Sequence, residues 1–175
     1  MMPPETYITA AQLCQVPGAV ELVQVLAQDG EYPVPAPLLT LLANAAPTEA
    51  WSPEDVAMTT ATLTRLQAVI DDTQTVIDGY LRQRGLALPL KTQPRQLTAW
   101  ARDIARYQLH RYRLGNESTD PIVRDYKTAL GFLQKVADGR YALGLDDPLP
   151  AQGGKAKHAG PPRTFNMGTL RHFGK

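Results

Sequence analysis

The apolar residues between positions 53 and 84 follow a helical spacing over a long stretch. They recur three, four or seven positions apart, which is the spacing of one helix face, and no alternation of period two competes with it. Ser52 and Pro53 suit a helix start, because serine caps helices and proline is accepted in the first turn. The pattern predicts a helix over residues 53–84, about 45 Å long at about 1.5 Å per residue. The apolar positions are Val56, Leu63, Leu66, Ile70, Ile77, Tyr80 and Leu81, with Thr73 interrupting the series.

Two further helices are predicted over residues 93–114 and 121–139, again from helical spacing bounded by proline at the start and glycine at the end. Each of the three helices presents one apolar side, and three such sides can close only on one another. Gly79 lies inside the first of them, where it is expected to allow another backbone to approach closely, with a merely tolerated glycine as the alternative. The predicted core consists of Leu66, Ile70, Ile77, Trp100, Ile104, Tyr126, Leu130 and Leu133.

The N-terminal third is rich in proline, with eight of the 15 prolines within residues 1–53. Short helices are predicted from Thr9, which begins a capping-box sequence, and over residues 20–27 and 38–45, with an extended run over 33–37. No strand pattern longer than four residues occurs in the first 140. We therefore predict an all-α fold, a small helical bundle with one overlong helix. It forms one domain over residues 1–147, in which 15–53 is a proline-rich helical insertion.

The C-terminal segment 148–175 has a different character. Residues 152–162 are too poor in apolar groups to fold alone, whereas 163–173 combine aromatic and basic side chains. This contrast predicts an extended tail that ends in a docking peptide, with plain disorder as the alternative. The side chains expected to dock are Arg163, Phe165, Met167, Leu170, Arg171 and Phe173.

The composition of the chain excludes several classes of protein. With 175 residues, 43% of them hydrophobic, the chain is long enough for one real core. No run of about 18 apolar residues predicts a membrane span, and no signal-peptide pattern is visible at the start. Cys14 is the single cysteine, which excludes an internal disulfide framework and a cysteine-based zinc site and suits a reducing cytoplasm. Residues 150–175 carry five basic and no acidic residues, against 13 basic and 17 acidic in 1–149.

Four arginines line one side of the predicted helix over 93–114. At about 100° per residue they fall within about 40° of one another. Such a stripe could contact other proteins or passing DNA without base specificity, although the acidic body opposes tight DNA binding. A solvated face whose arginine stems cover apolar surface is the alternative. The stripe consists of Arg95, Arg102, Arg106 and Arg113.

No arrangement in the sequence supports catalysis, so we expect neither an enzyme nor a cofactor. His110, His158 and His172 lack the spacing of metal ligands, and no metal site is expected. The acidic side chains of the long helix, Asp71, Asp72 and Asp78, are interpreted as a solvated face. No phosphate-binding glycine loop and no serine nucleophile elbow occurs.

An ordered set of segments resembles a known family, the small structural-cluster protein of Mu-like phages, a domain of unknown function. The segments are residues 7–13, 77–81, 86–90, 103–107, 124–130 and 139–145. Members of this family are similar to the head–tail connector adaptors of tailed phages. The resemblance therefore implies a virion structural protein in the neck, made in the host cytoplasm.

The same resemblance implies the partners. They are the portal protein, contacted through the tail, other copies of the chain in a ring expected to be a dodecamer, and a downstream head-closure or tail protein. The arginine stripe would then face a neighbouring subunit or the DNA channel. The alternatives are a head-closure or tail-completion protein and, from a different class, a helical DNA-binding packaging factor.

Overall fold

In the computed structural model, residues 6–28, 32–113 and 119–144 are described, and every regular element in these ranges is helical. The predicted all-α fold is therefore confirmed. A wide turn of π type, Cys14–Gly18, joins the first two helices. The helices are α1 (Ala10–Leu13), α2 (Ala19–Leu26), α3 (Ala36–Ala43), α4 (Pro53–Gln83), α5 (Arg95–His110) and α6 (Pro121–Ala137).

The long helix α4 has 31 residues and begins as predicted, with the Ser52 hydroxyl accepting a hydrogen bond from the Asp55 N–H at 3.1 Å. Its buried side repeats every 11 residues, or about 3.67 per turn, so a nearly straight helix keeps these positions on one side. Thr73 belongs to this buried side, because its hydroxyl donates to the Val69 carbonyl at 2.8 Å. The buried positions are Thr59, Thr62, Leu66, Ile70, Thr73, Ile77 and Leu81.

Helices α5 and α6 form an antiparallel pair that packs on α4. Trp100 stacks on Phe132 with ring centroids 5.6 Å apart, and Tyr107 stacks on Tyr126 at 3.9 Å. Six of the predicted core residues are buried, and the other two, Tyr126 and Leu130, pack at the edge of the core. The predicted core is thus confirmed. Helix α5 ends at His110 rather than at residue 114, because the Arg113 N–H donates to the His110 carbonyl in a tight turn.

The proline-rich insertion folds against this body through α2 and α3. The capping box at Thr9 is present, since Thr9 and Gln12 each accept a hydrogen bond from the other's backbone N–H. Helix α3 begins at Ala36, earlier than predicted, so the expectation of an extended run as far as Pro37 is wrong. The reason is that Pro37 lies in the first turn, where its missing N–H leaves no helical hydrogen bond unmade.

Gly79 does not serve a close backbone approach, contrary to the expectation. It is exposed, and a Cβ built on it would meet nothing within 4 Å. A side chain could therefore be added at this position without touching any described atom. The glycine only lowers the stability of the helix through its low helix propensity.

We expect Gly79→Ala to raise the free energy of unfolding by about 0.5–1 kcal/mol, which is the difference in helix propensity between the two residues. Gly85 is the matched control, because its Cβ would also meet nothing but its φ is +84°. Gly85→Ala should instead cost about 1–2 kcal/mol, since an L-residue is strained at positive φ. Urea denaturation of both variants measures the two changes, and a destabilised Gly79→Ala would show that the glycine has a packing role.

Candidate functional site

The four arginines of the predicted stripe fall into two groups. Arg95 is exposed at the start of α5, and Arg102, two turns further along the same side, is half-buried. The Nε atom of Arg102 is buried without a hydrogen-bond partner among the described residues. Arg106 and Arg113 instead contact α2 of the insertion.

Arg106 forms a two-pronged ion pair with Glu21 of α2. Its Nε and a terminal nitrogen donate to the two carboxylate oxygens at 2.7 and 2.9 Å, and His110 Nε2 lies 2.9 Å from the same carboxylate. Burial opposes ionisation of Glu21, but the hydrogen bonds from Arg106 and His110 outweigh it and lower the pKa of this carboxyl. The hydrogen bond to Glu21 likewise raises the pKa of Arg106. Paired, charge-assisted bonds of this kind fix orientation as well as adding energy.

Two further arginines hold the C-terminal end of α2. Arg113 donates to the Gln24 carbonyl at 2.8 Å and to the Ala27 carbonyl at 3.3 Å, while Arg65 of α4 donates to the Leu26 carbonyl at 2.9 Å. The last carbonyls of a helix have no partner within it, and positive charge is favourable there. Arg106 and Arg113 therefore join the insertion to the body. Contact of the stripe with a neighbouring subunit or with DNA stays a prediction, and it rests on Arg95 and Arg102.

A second polar junction ties the N-terminal segment to α4 and to the α4–α5 connection. The Tyr7 hydroxyl donates to Asp78 at 2.5 Å, and the Gln93 side chain donates to the Tyr7 carbonyl. Burial, followed by this bond to Asp78, raises the pKa of Tyr7. The interpretation of Asp78 as part of a solvated face is wrong, because its side chain is only 16% exposed and is shared between Tyr7 and Arg82. Tyr7 and Asp78 lie 71 residues apart, and no sequence pattern pointed to their contact.

Outside these junctions the described chain offers little reactive chemistry. Within residues 6–28, 32–113 and 119–144, no group of three or more histidine, cysteine or acidic side chains could hold a metal ion. Cys14 is buried, and burial raises the pKa of its thiol. None of the described helices is both long and apolar enough to cross a bilayer. The tail residues expected to dock, together with His158 and His172, lie outside the described residues, so portal docking through the tail stays a prediction.

Comparison with known proteins identifies the family to which the chain belongs. The family model described as "Bacteriophage Mu, Gp36" matches residues 7–159 of the chain. The chain is also similar to "Mu-like prophage FluMu protein gp36" of Haemophilus influenzae, with 40% identity over 98 residues. That alignment covers 56% of this chain and 64% of the relative, so the chain spans less than two thirds of the relative's length. The match over residues 7–159 shows that this chain belongs to the bacteriophage Mu Gp36 family.

Proposed function

We propose that this chain is a structural protein of the phage virion, a head–tail connector adaptor that docks on the portal as a ring and joins the capsid to the tail. Membership of the Gp36 family supports the phage setting. The observation that carries the proposal is the exposed side of the N-terminal half of α4, which carries no charged side chain. We refer to its residues as the open face: Ala57, Met58, Thr60, Ala61, Thr64 and Ala68.

The open face lacks the charges that a solvated helix surface normally carries. Between Asp55 and Asp71 the sequence has one charged residue, Arg65, and its guanidinium group is bonded to the Leu26 carbonyl. The exposed threonines are also satisfied internally, since Thr60 and Thr64 donate to carbonyls of their own helix at 2.7 and 3.0 Å. They therefore present methyl groups rather than free hydroxyls. Interface centres are depleted in charged residues in the same way.

The distribution of charge along the chain favours head-to-tail contact between copies. Residues 1–64 contain seven acidic residues and no lysine, arginine or histidine, whereas residues 65–144 contain 13 basic and eight acidic residues. A two-fold contact centred on the open face would bring the acidic parts of both copies to one interface, whereas head-to-tail contact brings the acidic part of one copy to the basic part of the next. Head-to-tail contacts generate rings when their rotation closes. Arg95 and Arg102 belong to the basic part and are proposed to face the neighbour or the passing DNA.

The test is to place a charge on the open face and measure assembly. We expect Thr64→Glu to abolish the ring in native mass measurements of the purified protein, alone and with portal, because an interface centre would have to bury an unpaired carboxylate. Thr128→Glu on α6 is the matched control, since Thr128 is also exposed and also donates to the carbonyl four residues before it. Its assembly should be unchanged.

Three outcomes would contradict the proposal. They are a wild-type protein that stays monomeric in the presence of portal, equal assembly of Thr64→Glu and Thr128→Glu, and sequence-selective DNA binding in a competition assay. The last would favour a packaging factor over a connector. Circular dichroism of both variants ensures that loss of assembly is not loss of helix.

A further inference from the structure

Three adjoining cavities form one groove along α4, on the side that faces residues 6–10. The first cavity, of about 250 Å³, lies between α3 and α4 and is lined by apolar side chains that include Ile8, Leu42 and Leu63. It shares Thr6 and Gln67 with the second cavity. One end of the groove is therefore apolar. We call the three cavities together the α4 groove.

The middle and the far end of the α4 groove differ in chemistry. The middle is lined only by polar side chains, among them Asp71, and it shares Gln74 and Asp78 with the third cavity. The third cavity, of about 260 Å³, is bounded by the run Leu88, Pro89 and Leu90. From Leu63 to Arg82 the helix rises about 28 Å at about 1.5 Å per residue. The groove thus has apolar side chains toward both ends and a polar middle that contains Asp71 and Asp78, while Arg82 and Gln93 also line the third cavity.

We propose that the α4 groove binds the C-terminal peptide, residues 163–173, of a second copy of this chain. This inference rests on the proposed function, and it names which surface of a subunit the tail of a neighbour would hold. The peptide has large apolar side chains near its ends, Phe165 and Phe173, eight residues apart in sequence. An extended peptide spans about 26 Å over eight residues at about 3.3 Å each, which matches the groove.

Charge supports the same occupant. Residues 150–175 carry five basic and no acidic side chains, so the peptide brings positive charge to a groove whose middle holds Asp71 and Asp78. Asp71 is exposed, and one oxygen of its carboxylate accepts a hydrogen bond from the Gln67 side chain at 2.9 Å. Its remaining acceptor positions can therefore take a guanidinium or ammonium group. Complementary charge of this kind sets the register and specificity of a docked peptide more than its affinity.

The position of α6 favours a second copy over the chain's own tail. Helix α6 packs against α4, and Tyr80 and Tyr126 both lie at the edge of the core that the two helices share. Tyr80 lies about 200° around the helix from Asp78, so α6 and the α4 groove are on different sides of α4. The described chain ends at Gly144, just after α6. Tyr141, near the end of this range, contacts Trp100 of α5 and Phe132 of α6, so the last described residues lie beside these two helices rather than at the groove.

Photo-crosslinking of the full chain tests this proposal without any portal. Phe173 is replaced by p-benzoylphenylalanine, unlabelled and ¹⁵N-labelled proteins are mixed and irradiated, and the crosslinked peptides are identified by mass spectrometry. We expect adducts on residues 63–93 that join one labelled and one unlabelled peptide. Asp71→Arg should lower their yield at least fivefold. Asp72→Arg is the matched control, because Asp72 is exposed on the same helix but does not line the groove, and its yield should stay within twofold.

The outcomes separate this proposal from the function proposed above. Adducts within a single copy, adducts elsewhere on the chain, equal loss in the two arginine variants, or crosslinks that form only when portal is added would each overturn it. A portal-only result would assign the tail to the portal, as the family resemblance implied, and would leave the connector function standing. Conversely, mixed-isotope adducts in the groove with no binding to portal would support the groove and contradict the connector.

Discussion

Ile104→Ala is expected to lower the free energy of unfolding by about 2–5 kcal/mol, the range measured for such truncations in well-packed cores. Ile104 is fully buried in α5, and Leu133, fully buried in α6, belongs to the same core as Leu66 and Ile70 of α4. Replacing Ile104 by alanine removes three carbons and leaves a cavity in this core. Helices α4 and α6 cannot move in to fill it, because they already pack against each other. A typical domain has a total margin of about 5–15 kcal/mol, so this single change would remove a large share of it.

Urea denaturation monitored by circular dichroism measures this loss, with Leu133→Ala expected to give a similar value. The control is Asp71→Ala, an exposed position on α4 whose replacement should change the free energy of unfolding by less than about 0.5 kcal/mol. Similar losses of stability at Ile104 and Asp71 would mean that the side of α5 that contains Ile104 does not face α4. The arginine positions on α5 would then have to be reassigned as well.

The helices could be predicted from the sequence because their determinants are local. For α4, the serine cap, the proline in the first turn and the apolar spacing lie within the helix itself, and the predicted range 53–84 differs from the observed helix by one residue. Thr73 looked like an interruption, since apolarity was the only criterion for burial. A buried threonine can donate its hydroxyl hydrogen bond to a carbonyl of its own helix, as Thr73 does to Val69. A search for apolar residues alone therefore does not identify it as buried.

The polar contacts between distant segments could not be predicted in this way. Helical spacing shows which residues share a side of a helix, but not which other element covers that side. The arginine stripe was correctly placed on one side of α5, yet nothing in its spacing indicated that α2 would lie beside Arg106, 85 residues from Glu21. Asp78 was misjudged for the same reason, because its partner Tyr7 comes from the start of the chain. At Gly79 the alternative interpretation, a tolerated glycine, holds instead of the expected packing role, since a Cβ there would meet nothing within 4 Å.

Arg106→Glu is expected to lower the free energy of unfolding by about 2–3 kcal/mol at pH 7. The value is that of charge-assisted hydrogen bonds lost from a partly exposed ion pair. The side chains of Arg106 and Glu21 are 36% and 26% exposed, so solvent screens the pair only in part. The double variant Glu21→Arg with Arg106→Glu restores opposite charges and should recover most of the loss. Arg95→Glu, at an exposed position of the same helix, should cost less than about 0.5 kcal/mol.

The pH dependence of this variant has a definite sign. Because the folded pKa of Glu21 is lowered from its ordinary value of 4.5, the stability that the pair contributes is present above that value and is lost as pH falls through the folded pKa. In Arg106→Glu two carboxylates face each other, and acid relieves their repulsion. The stability gap between wild type and variant, measured by urea denaturation, should therefore narrow as pH falls below about 4.5. Burial and Asp125 raise the pKa of Asp103, whereas Arg106 lowers it, so the variant raises the pKa of Asp103 further and acid narrows the gap in the same direction.

The same measurement decides how assembly defects in the arginine stripe are to be interpreted. If Arg106→Glu is destabilised as expected, loss of ring formation in that variant follows from detachment of α2 and says nothing about contact between subunits. Arg95→Glu and Arg102→Glu then become the informative changes, provided that their free energies of unfolding stay close to that of the wild type. A wild-type-like stability of Arg106→Glu, with no gap at pH 7, would contradict the ion pair with Glu21. Arg106 would then be available to a neighbour or to DNA together with Arg95 and Arg102, whereas Arg113 would still be bonded to the end of α2.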